Sequence, residues 1–444
     1  MDLKGKKVLV LGLARTGREC ARFLVNEGAN VLVSDLRPEQ ELKQEMAALS
    51  GQSLEFYLGG EERKWLQGVD LVIPSPGVAA INPLLQEAQA RGIPILSEIE
   101  VAYRFLHAPL VAITGTNGKS TTTALVGEIF KASGTQVFVG GNIGAPLIGF
   151  VSGRWDWGVA EISSFQLEWI EAFRPKIAVL LNLTEDHLDR YADFAAYCRA
   201  KERIFAAQKN DDVAVLNRDD PLVWKMKERI AARVVSFGFS EVREGVFVTA
   251  DEIIWRDASR EERFPLSRIK IQGIHNVENM MAAIAVTKAA GITRDVIQKS
   301  LEEFSGLEHR LEFVREINGV RYYNDSKGTN VGAVAKSLAS FSAPVILLAG
   351  GVDKGGDYAP LEDEIKRKVR RLVLFGAAKN RIAKALGDLT ETVSVDSLEA
   401  AVRDAAERAR PGDVVLLSPA CSSFDMFKNY AERGKVFKNL VQAL

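Results

Sequence analysis

Leu110-Val111-Ala112-Ile113, then Gly115-Thr116-Asn117-Gly118-Lys119-Ser120-Thr121, then Thr123-Ala124-Leu125-Val126-Gly127: this stretch decides the fold. An apolar run, a glycine turn, a Lys-Ser/Thr pair and a helix-forming stretch together grip nucleotide phosphates. Glycines let backbone N–H groups converge on an anion. The helix N-terminus adds partial positive charge, Lys119 a full one, and the Ser120 hydroxyl can ligate Mg²⁺. The standard spacing wants a glycine where Ile113 stands; here the first is Gly115, so the loop is a shortened variant. The alternative is an ordinary glycine-rich turn that happens to hold a lysine. The agreement of strand, helix and hydroxyl pair argues against it.

Composition narrows the field. A length of 444 residues suggests about three domains. Apolar content of 47% is ample for several packed cores. Lys+Arg (57) nearly cancel Asp+Glu (58), whereas proteins that live on nucleic acid or anionic membranes usually carry a basic excess. Neither is therefore an expected partner. Cys20, Cys198 and Cys421 are scattered and odd in number, which fits a reducing cytosol and argues against a disulfide framework. No Cys-x-x-Cys pair suggests structural zinc. The first residues lead straight into a strand, and the apolar run stops at Leu13 without a small-residue cleavage pattern, a poor signal peptide. No stretch approaches the ~20 apolar residues that span a bilayer. A cytoplasmic location is expected and, without a sticky amphipathic stripe, a monomer.

Short β-branched runs alternate with longer amphipathic segments, the mark of parallel α/β layers. Three blocks are expected: 1–100, 101–306 and 307–444. The first opens with Lys7-Val8-Leu9-Val10-Leu11, the turn Gly12-Leu13-Ala14-Arg15-Thr16-Gly17, a helix, and a second strand ending in Asp35. This resembles a dinucleotide fingerprint with Ala14 in place of the second glycine, and an acid about twenty residues on often binds a ribose hydroxyl. Taken alone, the turn fits a nicotinamide or flavin site, another nucleotide-like ligand, or a structural turn. Strand Asp70-Leu71-Val72-Ile73 then runs into the rigid Pro74-Ser75-Pro76-Gly77-Val78. In the second block, strands are expected at 157–161, 177–181 and 213–216, further β structure from Arg263 to Ile271, and a long helix from Asn276 to Ala290. In the third, strands are expected at 320–323, 345–348, 372–375 and 414–417, after a hinge at Ser305-Gly306-Leu307-Glu308.

Several residues carry candidate chemistry. Glu161 ends an apolar strand, where a carboxylate in a phosphate-loop domain is placed to hold Mg²⁺; a surface acid is the bland alternative. His187 lies in the polar run Asn182-Leu183-Thr184-Glu185-Asp186-His187 just past a strand, either in an active-site loop or as a cap or surface residue. Lys201 sits in a plausible helix, and its local sequence supports only a solvated lysine. Asn276 opens the long helix and could cap it or pair with an adenine edge. Arg310, after the hinge, could reach a phosphate. Asn324-Asp325-Ser326-Lys327-Gly328-Thr329-Asn330, Gly350-Gly351-Val352-Asp353-Lys354 and Ser418-Pro419-Ala420-Cys421-Ser422-Ser423 repeat one position: polar turns after strands, where α/β sheets bind ligands.

Together these segments resemble the Mur ligase family, ATP-dependent amide ligases of bacterial wall synthesis. The strongest pieces are Gly115 to Thr121, Glu161-Ile162-Ser163-Ser164, Asp186-His187, His275-Asn276-x-x-Asn279, His309-Arg310 and Asn324-Asp325-Ser326-Lys327. The resemblance spans essentially the whole chain. Within the family it points to the D-glutamate-adding members, through Gly12 to Gly17 with Asp35-Leu36-Arg37, Asn324 to Asn330, and Ser418 to Tyr430. It implies three α/β domains: a Rossmann-like N-terminal domain, a central P-loop ATPase-type domain with a mainly parallel sheet, and a Rossmann-like C-terminal domain. The substrates implied are UDP-N-acetylmuramoyl-L-alanine and D-glutamate, with ATP and two Mg²⁺ ions.

The resemblance also implies roles. Arg15, Thr16 and Gly17 would cradle the UDP phosphates, Asp35 and Arg37 line the uridine end, and Ser75 and Gly77 shape the same wall. Gly115, Thr116, Asn117, Gly118, Lys119, Ser120 and Thr121 would wrap the triphosphate. Ser120 and Glu161 would hold one Mg²⁺, and His187 with a carbamylated Lys201 the second. Asn276 and Asn279 would face adenine, Asp325 the ribose, Arg310 the γ-phosphate and Asn142 the sugar substrate. Lys327, Thr329, Lys354, Ser423 and Tyr430 would meet D-glutamate; the family often has Phe where Tyr430 stands. Another amide ligase of the family, or a folylpolyglutamate-synthetase-like enzyme, is the alternative. The opening block argues against the latter, and the missing Asp-Asn-Pro-Arg string against a diamino-acid ligase.

Overall fold

The computed structural model describes residues 1–444 except Gln272 and Lys354. Its first sheet holds β1 (Lys7–Leu11), β2 (Asn30–Asp35), β3 (Leu54–Leu58) and β4 (Leu71–Pro74), all parallel, in the order β3-β2-β1-β4. Val8 to Leu11 are fully covered, as expected for a parallel strand with both faces packed. Strand order reverses beside β1, so the crevice at the carboxyl ends of β1 and β4 is the natural ligand position.

The second sheet has nine strands: β5 (Leu110–Thr114), β6 (Val137–Gly141), β7 (Trp157–Glu161), β8 (Ile177–Leu180), β9 (Val213–Asn217), β10 (Arg233–Gly238), β11 (Gly245–Val248), β12 (Glu252–Arg256) and β13 (Glu261–Pro265). The order is β13-β12-β11-β10-β9-β8-β5-β7-β6, parallel from β6 through β11 and antiparallel at β12 and β13. Strand β5 therefore lies between β7 and β8, and the segments leaving all three meet at one end. The helices Lys119–Ala132 and Ile274–Ala289 pack on one face; Leu125, Ile129 and Phe130 meet Met280 and Ile284 in the same core. Asn279 through Thr287 are all buried, as befits a helix enclosed on most sides. It begins two residues before its expected start. The β structure expected to continue to Ile271 stops at Pro265, and Leu266–Arg268 form a 3₁₀ turn. Pro265 has no N–H to extend the ladder.

The third sheet orders β14 (Glu312–Ile317), β15 (Val320–Asn324), β16 (Val345–Gly350), β17 (Val369–Phe375), β18 (Glu391–Ser394) and β19 (Val414–Leu417) as β14-β15-β19-β16-β17-β18. Only β14 and β15 are antiparallel, joined at Asn318-Gly319 with both φ positive (51° and 76°), the hairpin turn that matches strand twist. Loops after β15, β16 and β19 emerge together, tied from beneath by the fully buried Arg433. Its guanidinium donates to the carbonyls of Ser326 (2.8 Å) and Cys421 (3.2 Å), and to Ser326 Oγ (3.0 Å). Among the described residues, no helix is long and apolar enough to cross a membrane.

Candidate active site

The loop leaving β5 enters the helix Lys119–Ala132. Gly118 lies at φ +86°, and a Cβ there would collide with Asn279 Oδ1, so glycine is required on both counts. Lys119 Nζ folds back onto the carbonyls of Gly115 (2.9 Å) and Thr116 (2.8 Å). Thr121 lines the adjoining cavity.

Strand pairing of Ile113 with Glu161 sets the carboxylate beside the loop. Glu161 Oε1 accepts from Asn142 Nδ2 at 2.7 Å, whereas Oε2 is buried with no hydrogen-bond partner among the described residues. Burial pushes this carboxyl up, but the Lys119 and Lys327 cations outweigh burial and hold it below its ordinary value. It is an anion. Lys327 arrives from the loop after β15 and donates to Ser120 Oγ at 2.8 Å. Burial, then neighbouring Arg310, pulls the Lys327 ammonium down to about 7. The corner of Ser120 and Glu161 thus already receives the amine of Lys327. A hydroxyl and an uncommitted carboxylate oxygen are hard donors that fit Mg²⁺. No group of three or more His, Cys, Asp or Glu that could hold a metal occurs among the described residues, so phosphate and water oxygens would complete any shell.

Lys201 is 2% exposed, not the solvated lysine of its local sequence. Its Nζ donates to Gly115 O at 2.9 Å and lies 4.7 Å from the centre of the Tyr197 ring. Burial, then the Lys119 cation, drives its pKa well below the ordinary lysine value. His187 sits at φ 57° in the loop after β8, its ring 4.7 Å from Phe165 and 6.4 Å from Tyr197. The Tyr197 ring therefore borders both. An amine is a poor ligand for a hard cation; only a carbamate would give Lys201 oxygens to offer.

Between the second and third domains a cavity is lined by Asn117, Asn276, Asn279, Arg310 and Asp325, among others. Asn279 Oδ1 accepts from Thr122 Oγ1 at 3.2 Å. Arg310 Nε is buried without a hydrogen-bond partner among the described residues. Asp325 Oδ2 accepts from Ser337 and Ser418 hydroxyls, both at 2.7 Å, while burial raises its pKa. His275 is pulled down to about 4 by burial and by Lys336, so it is neutral.

In the first domain, Gly17 packs so closely on Gly12 O that no Cβ fits. Ser75 Oγ donates to Gly12 O at 3.0 Å. Asp35 accepts from Leu13 N–H at 2.8 Å and is gripped by Arg37 at 3.0 and 2.9 Å. The hydrogen bonds of Arg37 and Leu13 overcome burial and hold its carboxyl below the usual range. Arg15 and Thr16 begin the helix Arg15–Asn26, with Arg15 exposed, and Gly77 follows Ser75 in the turn after β4.

Other expected residues are dispersed. Thr329 lines a second cavity of about 180 Å³ with Asp186 and Tyr358. Ser423 is buried beneath its loop and Tyr430 presents its ring 5.2 Å from Lys327 Nζ; neither lines that cavity. Lys354 lies outside the described residues. Three further contacts have no local sequence signature. Asn330 Nδ2 bridges Asn117 Oδ1 (3.3 Å) and Asp186 Oδ2 (3.2 Å). Arg190 donates to the carbonyls of Pro76 and Val78, both at 2.9 Å, joining the His187 loop to the first domain. Asn182 clasps the backbone of Asn117. Only their position in polar runs after strands hinted at them.

Three descriptions match consecutive parts of the chain: "Mur ligase MurD-like, N-terminal domain" at residues 6–97, "Mur ligase middle domain" at 113–287, and "Mur ligase, glutamate ligase domain" at 309–421. The chain belongs to the Mur ligase family. Among similar proteins, the UDP-N-acetylmuramoylalanine--D-glutamate ligase of Geobacter metallireducens is 52% identical over 447 residues, covering 100% of this chain and 99% of the relative. The protein of the same name from Trichlorobacter lovleyi is 50% identical, with 100% of both covered. The crystal structure of MurF from Acinetobacter baumannii shares the fold at a TM-score of 0.63 and 18% identity, covering 99% of this chain and 91% of that one. In this Mur ligase the first-domain turn therefore belongs to a family domain, and a nicotinamide or flavin reading of it falls away.

Proposed function

We propose that this Mur ligase joins D-glutamate to UDP-N-acetylmuramoyl-L-alanine, consuming ATP and releasing ADP and phosphate, in peptidoglycan precursor synthesis. The carrying observation is full-length identity of about half to relatives named for that reaction, with no part of the chain left over. On this reading the chain divides into a sugar-nucleotide domain (1–100), an ATP domain (101–306) and an amino-acid domain (307–444).

A carboxylate is a poor acyl donor because oxide cannot leave. Phosphorylation of the alanyl carboxylate gives an acyl phosphate; the amine of D-glutamate attacks, and phosphate departs. Phosphoryl transfer needs positioning and charge neutralisation more than covalent help. Lys119 would leave the carbonyls it now holds to meet the β- and γ-phosphates. Arg310, whose buried Nε has no hydrogen-bond partner among the described residues, would meet the transferred group. Ser120 and Glu161 would hold one Mg²⁺, and His187 with a carbamylated Lys201 a second. Bound Mg²⁺ would neutralise phosphate charge. Carbamylation requires an uncharged amine, which the depressed pKa of buried Lys201 favours. Asn276, Asn279 and Asp325 would hold the nucleoside, and Asn142 would touch the sugar substrate while steadying Glu161. Arg15, Thr16, Gly17, Asp35, Arg37, Ser75 and Gly77 would hold UDP; Lys327, Thr329, Lys354, Ser423 and Tyr430 would receive D-glutamate.

The test is phosphate release by purified protein with ATP, Mg²⁺, UDP-N-acetylmuramoyl-L-alanine and each candidate amino acid in turn. Release with D-glutamate alone is expected. Turnover with a diamino acid or L-alanine instead would reassign the substrate.

A further inference from the structure

The segment leaving β8 is stitched to the phosphate loop. Thr116 N–H donates to the backbone carbonyl of Asn182 at 2.9 Å. The Asn182 side chain then takes both backbone groups of the next residue: Asn117 N–H donates to Oδ1 at 2.8 Å, and Nδ2 donates to Asn117 O at 3.1 Å. Thr116 Oγ1 accepts from Thr184 N–H at 3.0 Å and lies 3.1 Å from Tyr197 OH. Asn182 is 7% exposed and lines the nucleotide cavity beside Asn117 and Gly118.

We infer that Asn182 is a positioning residue for the nucleotide, setting the shape of the shortened phosphate loop through the backbone of Asn117. The physical reason lies in the loop itself. Gly115 and Gly118 sit at φ +150° and +86°, conformations that glycine permits but does not enforce. The first glycine of the loop is Gly115, two residues later than the standard pattern places it. The amide plane between Asn117 and Gly118 decides where the Gly118 N–H and the first helical N–H groups point. Asn182 fixes that plane by holding Asn117 O, and fixes the preceding one by holding Asn117 N–H. Only a primary amide offers an acceptor and a donor at the right separation for both. The same side chain starts the segment that ends in Asp186-His187, so loop shape and the placement of His187 are linked through a few residues.

This inference rests on the nucleotide reading of the loop, and its test separates the two. Binding of Mg-ADP, followed by fluorescence of a labelled analogue, is measured for the wild type and for Asn182→Ala and Asn182→Asp, with UDP-N-acetylmuramoyl-L-alanine affinity measured in parallel. The expected result is a Kd for Mg-ADP raised at least tenfold in both variants, with sugar-nucleotide affinity within twofold of wild type. Nucleotide affinity within twofold of wild type in both variants would overturn the role. Equal loss of both ligands would also overturn it, since that reports general unfolding. Failure of the wild type to bind Mg-ADP would instead sink the nucleotide reading. Hydrogen exchange on the unmodified, nucleotide-free protein needs no variant. The Asn117 amide should already be protected, and unprotected exchange there would contradict the clasp.

Discussion

Lys201 is an amine sealed from water, with the Gly115 carbonyl, the Thr114 hydroxyl and an aromatic face around it. A charged ammonium is costly there, and the nearby Lys119 cation makes it costlier. That environment suits reaction with CO₂ and gives a residue-scale prediction. Lys201→Ala should lose most ligase activity and regain part of it with added short carboxylates, which resupply the missing oxygens. Full activity without additives would exclude the carbamate. Cys198-Arg199-Ala200-Lys201 does not signal this burial, because β5 and the phosphate loop, distant in sequence, close over the lysine. The loop glycines and Glu161, by contrast, were legible: a strand end and a fixed spacing place them without reference to anything distant.

At the scale of elements, the helix Glu98–Phe105 joins the first domain to the second. Glu98 Oε1 accepts the Ile148 N–H at 2.6 Å, capping the turn Leu147–Phe150, while Oε2 is buried with no hydrogen-bond partner among the described residues. Burial raises its pKa to about 7 from an ordinary 4.5. Between those values the unfolded chain releases its proton and the folded chain keeps it. Stability therefore falls as pH rises from 4.5 to 7 and levels off above, by about 3 kcal/mol in all. Glu98→Gln should raise the melting temperature relative to wild type at pH 8 and leave it nearly unchanged at pH 5. An equal difference at both pH values would contradict this. A second element-scale case is Arg433. Arg433→Met would strip donors from the Ser326 and Cys421 carbonyls, and a loss of about 3–5 kcal/mol in denaturant unfolding is expected. A loss below about 1 kcal/mol would show that the knot beneath the three loops is dispensable. Central strands such as β5, β16 and β19 were legible because burial on both faces leaves an unbroken apolar run. Strands β3 and β14 were not, since edge strands keep exposed and polar positions.

Across the whole molecule, the loop after β15 and the helix Val331–Ala339 that follows it tie the third domain to the second. Lys327 meets Ser120, Asn330 meets Asn117 and Asp186, and Lys336 pairs with Glu278 at 2.5 Å. The Lys327 and Asn330 contacts fall on Ser120 and Asn117 of the phosphate loop, so on the proposed function nucleotide entry would rearrange them. Lys327→Met combined with Asn330→Ala should widen the nucleotide-free molecule, seen as a larger radius of gyration in solution scattering. An unchanged radius would place the closure in other contacts. None of this was readable from sequence, because contacts between distant loops follow no local period. The three-domain α/β architecture was, through alternation of strand and helix patterns and three sets of polar strand-end turns. On the proposed function, the loop at 115–121 serves conversion of a carboxylate into an acyl phosphate. The direct measurement uses UDP-N-acetylmuramoyl-L-alanine labelled with ¹⁸O in its terminal carboxylate, with ATP and D-glutamate. One ¹⁸O atom is expected in the released phosphate per amide formed; amide formation with phosphate free of label would contradict the acyl-phosphate route.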